Sequence, residues 1–204
     1  HAHGALGRGA VEDVALEGFL AASPAINGQR SLDDLALSAT LSAVELLRKV
    51  CTALFDMPAQ APLPTVDGVH AVASAYARVG IRAVVAPMLA DRTLYEAYPD
   101  LLASLPQPLA GSAAALKATP FQTCLDAAEA AARYWPFDST RVRLGIAPTI
   151  PLHCSDELLR GCARLSDEWG LPMQTHLAES KMQAVLGEER YGKSLVAHLA
   201  DTGM

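Results

Sequence analysis

Long apolar runs are missing from this sequence. Nothing in its 204 residues approaches the ~20 consecutive apolar residues a membrane-spanning helix needs, so no membrane partner is expected. Basic runs are missing too. Lys and Arg number 16 against 22 Asp and Glu, the formal net charge is −6, and no cluster is placed to track phosphates, which argues against nucleic acid as a partner. Cysteine is scarce at four residues, with no CxxC pair among them. Cys154 and Cys162 read as buried thiols rather than as a ligand pair. The opening "HAHGALGRG" has neither the basic nor the apolar region of a secretory signal, and with free thiols this makes the cytoplasm the expected location. No strand is followed by a glycine-rich dinucleotide fingerprint, and GxxxxGK[ST] is absent, which lowers a nucleotide-binding open sheet.

What is present is the composition of a folded domain, 51% hydrophobic and 19% charged, long enough for one sizeable core. Strands and helices alternate along it. Residues 31–50 form an amphipathic helix capped by Ser31, 51–57 a short strand, 65–80 a helix stopped by Gly80, and 81–88 a β-branched strand. Residues 119–135 read as a helix with Thr119 as cap, Pro120 at the first position and Gln122 completing a capping box. Then come a strand at 141–150, a helix at 155–170 capped by Ser155 and ended by Gly170, a strand at 171–177 and a helix at 193–203. Such alternation argues for parallel βαβ units buried on both faces.

Two places along this pattern carry chemistry. The sequence opens His1-Ala2-His3, and on a strand residues i and i+2 share a side, which is a usual way to present two imidazoles to a transition metal. Further on, "QTHLAES" (174–180) sets His176 at the end of a strand and Glu179 three residues on. Two readings of Glu179 stand at this point: a carboxylate that works a proton on an attacking water, or a cap of the next helix. His70 and His198 fall inside predicted helices and read as structural or solvated.

Taken together, HxH at one strand end and HxxE at a later one resemble the amidohydrolase superfamily, in particular its chlorohydrolase/cytosine-deaminase-like branch of metal-dependent aminohydrolases. The resemblance extends to "SAVELLRKVCTALFDM", similar to that branch's second-strand block, and to "RVRLGIAPTIPLHCSDELLRGCARLSDEWGLPMQTHLAES", similar to its fourth- and fifth-strand blocks. It implies an α/β fold, a (β/α)8 TIM-type barrel of which residues 1–204 cover about strands 1 to 5 as one partial domain. It implies His1, His3 and His176 as ligands of one divalent metal, Zn2+ or Fe2+, and Glu179 as the acid/base that takes a proton from the attacking water and passes it to the leaving amine. The expected reaction is hydrolytic deamination of a ring C–N unit in a nucleobase-like or s-triazine-like heterocycle. Cyclic-amide hydrolysis, dechlorination or dealkylamination are the alternatives within the superfamily.

The resemblance also implies a His on strand 6 and an Asp on strand 8, which residues 1–204 do not include, so a fragment without a complete metal site stands as a third reading. Open edges at strands 1 and 5 invite pairing, and a homo-oligomer is expected. For substrate contact the candidates are His153, Arg8 and Thr149. His153 serves the pocket or the surface, and Arg8 meets an anionic group or pins the first loop. Thr149 stands where some relatives carry His, and Val50 replaces a common Gly; both make a nucleoside substrate less secure.

Overall fold

The computed structural model describes residues 1–204. A 3-10 turn (Ala2–Gly7) leads to helices α1 (Leu16–Asn27) and α2 (Leu32–Arg48), then strand β1 (Ala53–Asp56), helix α3 (Val66–Val79) and the short strands β2 (Arg82–Val85) and β3 (Met88–Leu89). Three small helices follow, α4 (Leu94–Ala97), α5 (Pro99–Ser104) and α6 (Gln107–Ala114), and then α7 (Phe121–Arg133), β4 (Val142–Leu144) and β5 (Ala147–Pro148). A 3-10 turn (Pro151–His153) and helices α8 (Asp156–Trp169), α9 (Lys181–Tyr191) and α10 (Leu195–Asp201) complete the chain.

All strand pairs are parallel. β2 lies between β1 and β4, with Phe55 beside Val84 and Val84 beside Arg143. β3 pairs with β5, Met88 beside Ala147. β2–β3 and β4–β5 are thus two interrupted paths side by side. Gly145 sits at the second break because a Cβ there would lie 2.7 Å from the Pro172 carbonyl oxygen and 2.8 Å from Val84. Helices cover one face of this sheet. Leu35, Val69, Val72 and Tyr76 from α2 and α3 pack on Ile81, Val85, Val142 and Leu144, while Leu125, Leu158, Leu159 and Cys162 from α7 and α8 pack on Leu89 and Ile146. Each large apolar side chain buried in this way contributes roughly 2 kcal/mol. Cys124, Cys154 and Cys162 are buried and unpaired, and Cys51 is exposed. No helix is long and apolar enough to cross a membrane.

The helix ends follow side-chain chemistry. Ser31 and Asp34 form a reciprocal capping box, Ser155 accepts the Leu158 amide, and Gly80 and Gly170 end their helices in the left-handed region. The expected box at Thr119 does not form. Thr119 donates instead to the Pro62 carbonyl, Gln122 bonds Asp126, and the helix starts at Phe121 with Pro120 as its cap.

Two expected strands are also altered. His1-Ala2-His3 opens a 3-10 turn rather than lying on a strand, because the Ala2 amide is taken by the Asp56 carboxylate and the Gly4 amide by the His1 carbonyl. Residues 171–177 keep one bridge, Met173 to Ile146. The Ile146 amide reaches Pro172 and the Gln174 amide reaches Ile146, but the next rung needs an N–H that Pro148 lacks. The His176 amide then bonds the Thr149 carbonyl.

Candidate active site

Asp56, Leu89, Pro148 and the Met173–His176 segment all run out at the same end of the sheet. A cavity of about 410 Å³ opens there. His1, His3, Thr149, His153, His176 and Glu179 line it together with Leu16, Phe19 and Leu20 of α1, which form its apolar wall. The expected residues His1, His3, His153, His176, Glu179 and Thr149 thus border one space, although His1 and His3 lie on a 3-10 turn and not on a strand.

Ala2 anchors the first two histidines. It is 2% exposed, its N–H donates to Asp56 Oδ1 at 2.9 Å, and its carbonyl accepts from the Ser38 hydroxyl of α2. Asp56 itself is 3% exposed and also accepts the Tyr76 hydroxyl at 2.7 Å. Burial first, then the Asp56 charge, raises the Tyr76 pKa well above the ordinary phenol value, so this hydroxyl stays a donor. Asp56, Tyr76 and Ser38 were not singled out in the sequence. The run "FDM" at the end of a strand was the only visible signal for the first.

The imidazoles are set by their Nδ1 atoms. His1 Nδ1 lies 2.9 Å from the Met57 carbonyl and His176 Nδ1 lies 2.7 Å from the Thr149 carbonyl. A carbonyl only accepts, so both Nδ1 atoms carry the proton and both Nε2 atoms offer lone pairs. Those two Nε2 atoms face each other at 2.9 Å. Two lone pairs at that distance repel unless a cation, proton or metal, lies between them. Fixing Nδ1 by a carbonyl is also how metal-bound histidines are oriented.

His3 is set differently. Its Nδ1 accepts the Ala59 amide at 3.1 Å, which leaves the neutral ring's proton on Nε2. Burial pushes its pKa down to about 4, so the ring is neutral near pH 7. The three histidines therefore do not converge: no group of three His, Cys, Asp or Glu residues is arranged to hold a metal. The donor set fits a divalent ion at His1 and His176, and His3 joins only if its ring gives up the Ala59 bond.

Glu179 is solvent-exposed on the cavity rim, and its amide donates to Gln183 Oε1 at 3.0 Å. It does not cap α9. Ser180 does, accepting the Gln183 amide. His153 is buried at 9% exposure in the cavity wall, with Nε2 unpartnered, and burial lowers its pKa to about 4. Arg8 lies outside the cavity. It pairs with Glu45 of α2 at 2.8 Å, so it pins the first loop and its charge is already matched; the expected anion contact is corrected accordingly. His198 is buried, stacked on Tyr191 and 3.1 Å from Asp156, and His70 packs against Trp135 and Phe137, so both are structural.

Comparison with known proteins fixes the lineage. The family model described as "Amidohydrolase family" matches residues 1–200. The chain belongs to the amidohydrolase family. Over 207 residues it is 27% identical to the 5′-deoxyadenosine deaminase of Methanopyrus kandleri, a match covering 100% of this chain and 41% of that protein. The chain thus spans about two fifths of this curated relative's length.

Among solved structures, an adenosine deaminase from Xanthomonas campestris with bound zinc superposes with a TM-score of 0.72 at 20% identity, covering 100% of this chain and 40% of that one. A mutant atrazine chlorohydrolase from Arthrobacter aurescens TC1, complexed with zinc and atraton, gives 0.74 at 17% identity, covering 100% and 44%. These likenesses establish the fold: the parallel strands and their helices are part of an amidohydrolase (β/α) barrel, and the cavity opens at the C-terminal strand ends where such barrels carry their chemistry.

Proposed function

We propose that the protein is a metal-dependent hydrolase of the amidohydrolase family that removes ammonia from a ring C–N unit of a small heterocycle, nucleobase-like or s-triazine-like. The observation that carries this reading is the facing pair of imidazole nitrogens, His1 Nε2 and His176 Nε2, with Glu179 on the same cavity. His1 and His176 would hold the metal, Zn2+ or Fe2+, with His3 the third ligand after its ring turns. When bound, the metal supplies Lewis acidity that makes water nucleophilic near neutral pH.

The chain's own residues do the rest. Glu179, exposed on the rim, takes a proton from the attacking water and returns it to the departing nitrogen. Thr149 and His153 border the ring's position, the first through its hydroxyl and the second through an unpartnered Nε2 that offers a polar contact. The apolar side built by α1 excludes water from the ring and leaves Glu179 as the proton carrier. The reading gains support from the deaminase relative, whose named substrate is an uncharged adenosine derivative.

The test is a panel on the full-length metal-loaded enzyme: 5′-deoxyadenosine, adenine, cytosine and aminated or chlorinated s-triazines, scored for ammonia, halide, alkylamine and ring opening. Ammonia release lost in Glu179→Gln supports the reading. Halide or alkylamine release from triazines alone moves the assignment to dechlorination or dealkylamination, and ring opening alone moves it to cyclic-amide hydrolysis.

A further inference from the structure

We propose that Gln183 is the positioning residue that holds Glu179 at the cavity rim; the inference rests on the assignment of Glu179 as the acid/base. The Glu179 carboxylate makes no hydrogen bond within the chain, so its place is decided by its backbone. That backbone follows an unusual turn. Ala178 has φ +50°, in the left-handed region that a residue with a Cβ enters at a cost, and such a conformation persists only where neighbours fix it.

Gln183 is the neighbour that does so. It sits in the first turn of α9 with 0% exposure, and its Oε1 accepts the Glu179 amide at 3.0 Å. Its own amide is taken by the Ser180 hydroxyl, which donates in turn to Glu17 of α1. The bent segment from Ala178 to Ser180 is therefore tied to α9 through Gln183 and to the cavity's apolar wall through Glu17. The other end of the Gln183 amide, Nε2, is buried without a partner, as is the hydroxyl of Tyr98. A buried donor left unmatched costs stability. An apolar residue of the same length would avoid that cost while removing the acceptor of the Glu179 amide and the side-chain contact with Tyr98.

The experiment uses the full-length metal-loaded enzyme as wild type, Gln183→Met, which keeps the length and removes the acceptor, and Gln183→Glu, which keeps an acceptor at the same reach. Amide exchange is followed at Glu179 and through α9, and kcat and KM are measured with 5′-deoxyadenosine or the panel compound the wild type turns over. In Gln183→Met the Glu179 amide exchanges about tenfold faster or more while α9 stays protected. In the same variant kcat falls between about 10-fold and 100-fold, as expected for a misplaced group, with KM changed by less than about twofold and metal content retained. Gln183→Glu recovers the slow exchange and most of kcat.

An unchanged kcat in Gln183→Met overturns the proposal. So does loss of protection through all of α9 with kcat and KM both degraded, since that is a structural role. If the wild type turns over no panel compound, the functional reading fails, and the exchange at Glu179 still decides whether Gln183 fixes the turn.

Discussion

His1 and His176, 175 residues apart in sequence, meet Nε2 to Nε2 at 2.9 Å, each ring oriented by a carbonyl on its Nδ1. This arrangement demands a positive charge between them. The full-length enzyme is expected to bind one divalent metal, and His176→Ala and His1→Ala are each expected to lower its affinity by at least a hundredfold, since each removes one of the two set donors. Elemental analysis after dialysis measures this directly. Full metal occupancy in either variant would remove these residues from the site.

Replacing Glu179, the proposed proton carrier, separates chemistry from metal binding. Glu179→Gln keeps the size and the backbone bond to Gln183, so metal content is expected to stay at the wild-type level. The value of kcat for ammonia release is expected to fall by roughly 10²–10⁴-fold, the usual worth of a general acid/base. Retained activity would make Glu179 a rim residue only.

The clamp under the first two histidines is a stability prediction. Asp56→Ala would leave the Ala2 amide and the Tyr76 hydroxyl buried without an acceptor, at a cost of about 3 kcal/mol. Asp56→Asn keeps one acceptor, Oδ1, for the Ala2 amide and sets its NH2 against Tyr76, whose oxygen can accept, so it should lose less. Urea unfolding of the metal-free protein reads both, and equal losses in the two variants would mean that the carboxylate's charge, and not its hydrogen bonds, holds Ala2.

Acid sensitivity should follow from His153. Its pKa is near 4 in the folded protein against an ordinary 6.5, with burial the main cause. Between those values the unfolded state binds more protons than the folded one, so stability rises with pH through this window and is lost as pH falls from about 6.5 toward 4. A shift of this size corresponds to on the order of 3 kcal/mol. His153→Phe, which cannot protonate, is expected to flatten the pH dependence of unfolding between pH 6.5 and 4 by a comparable amount. An unchanged slope would show that His153 protonates freely in the folded protein.

Several residues lining this cavity were legible because they are rare and carry their signal within a short window. Six histidines in the whole chain, three of them in HxH and HxxE, stand out against an apolar background. Caps were legible for the same reason: Ser31, Ser155, Gly80 and Gly170 act through local bonds that a sequence window contains. The rest depends on distant partners. Thr119 looked like a cap, but its hydroxyl found the Pro62 carbonyl 57 residues away. The 171–177 strand failed at a proline on its neighbour, Pro148, and not at one of its own residues. Helix α1 was not foreseen, since Pro24 lies inside it, and α9 was not foreseen because its apolar residues Met182 and Val185 face solvent and do not form one buried stripe. Missing those two helices meant missing the apolar cavity wall and Gln183.

The apolar wall selects against charge on the substrate. No Lys or Arg borders the cavity, and Arg8, the cation nearest in sequence to the opening histidines, is already paired with Glu45. An anionic tail placed against Leu16, Phe19 and Leu20 would give up its hydration with no bordering Lys or Arg of this chain to replace it, Arg30 being held by Asn27, a cost of several kcal/mol for an isolated carboxylate or phosphate. An uncharged tail meets no such penalty and gains by burying apolar surface. For the full-length enzyme, kcat/KM for 5′-deoxyadenosine should therefore exceed that for adenosine 5′-monophosphate by at least about a hundredfold. Phe19→Lys, which sets a cation on the wall, should narrow that ratio by at least about tenfold, mainly through KM for the phosphate. Equal kcat/KM for the two compounds in the wild type would mean that the tail does not lie against α1, and the ring would then have to enter the cavity in the opposite orientation.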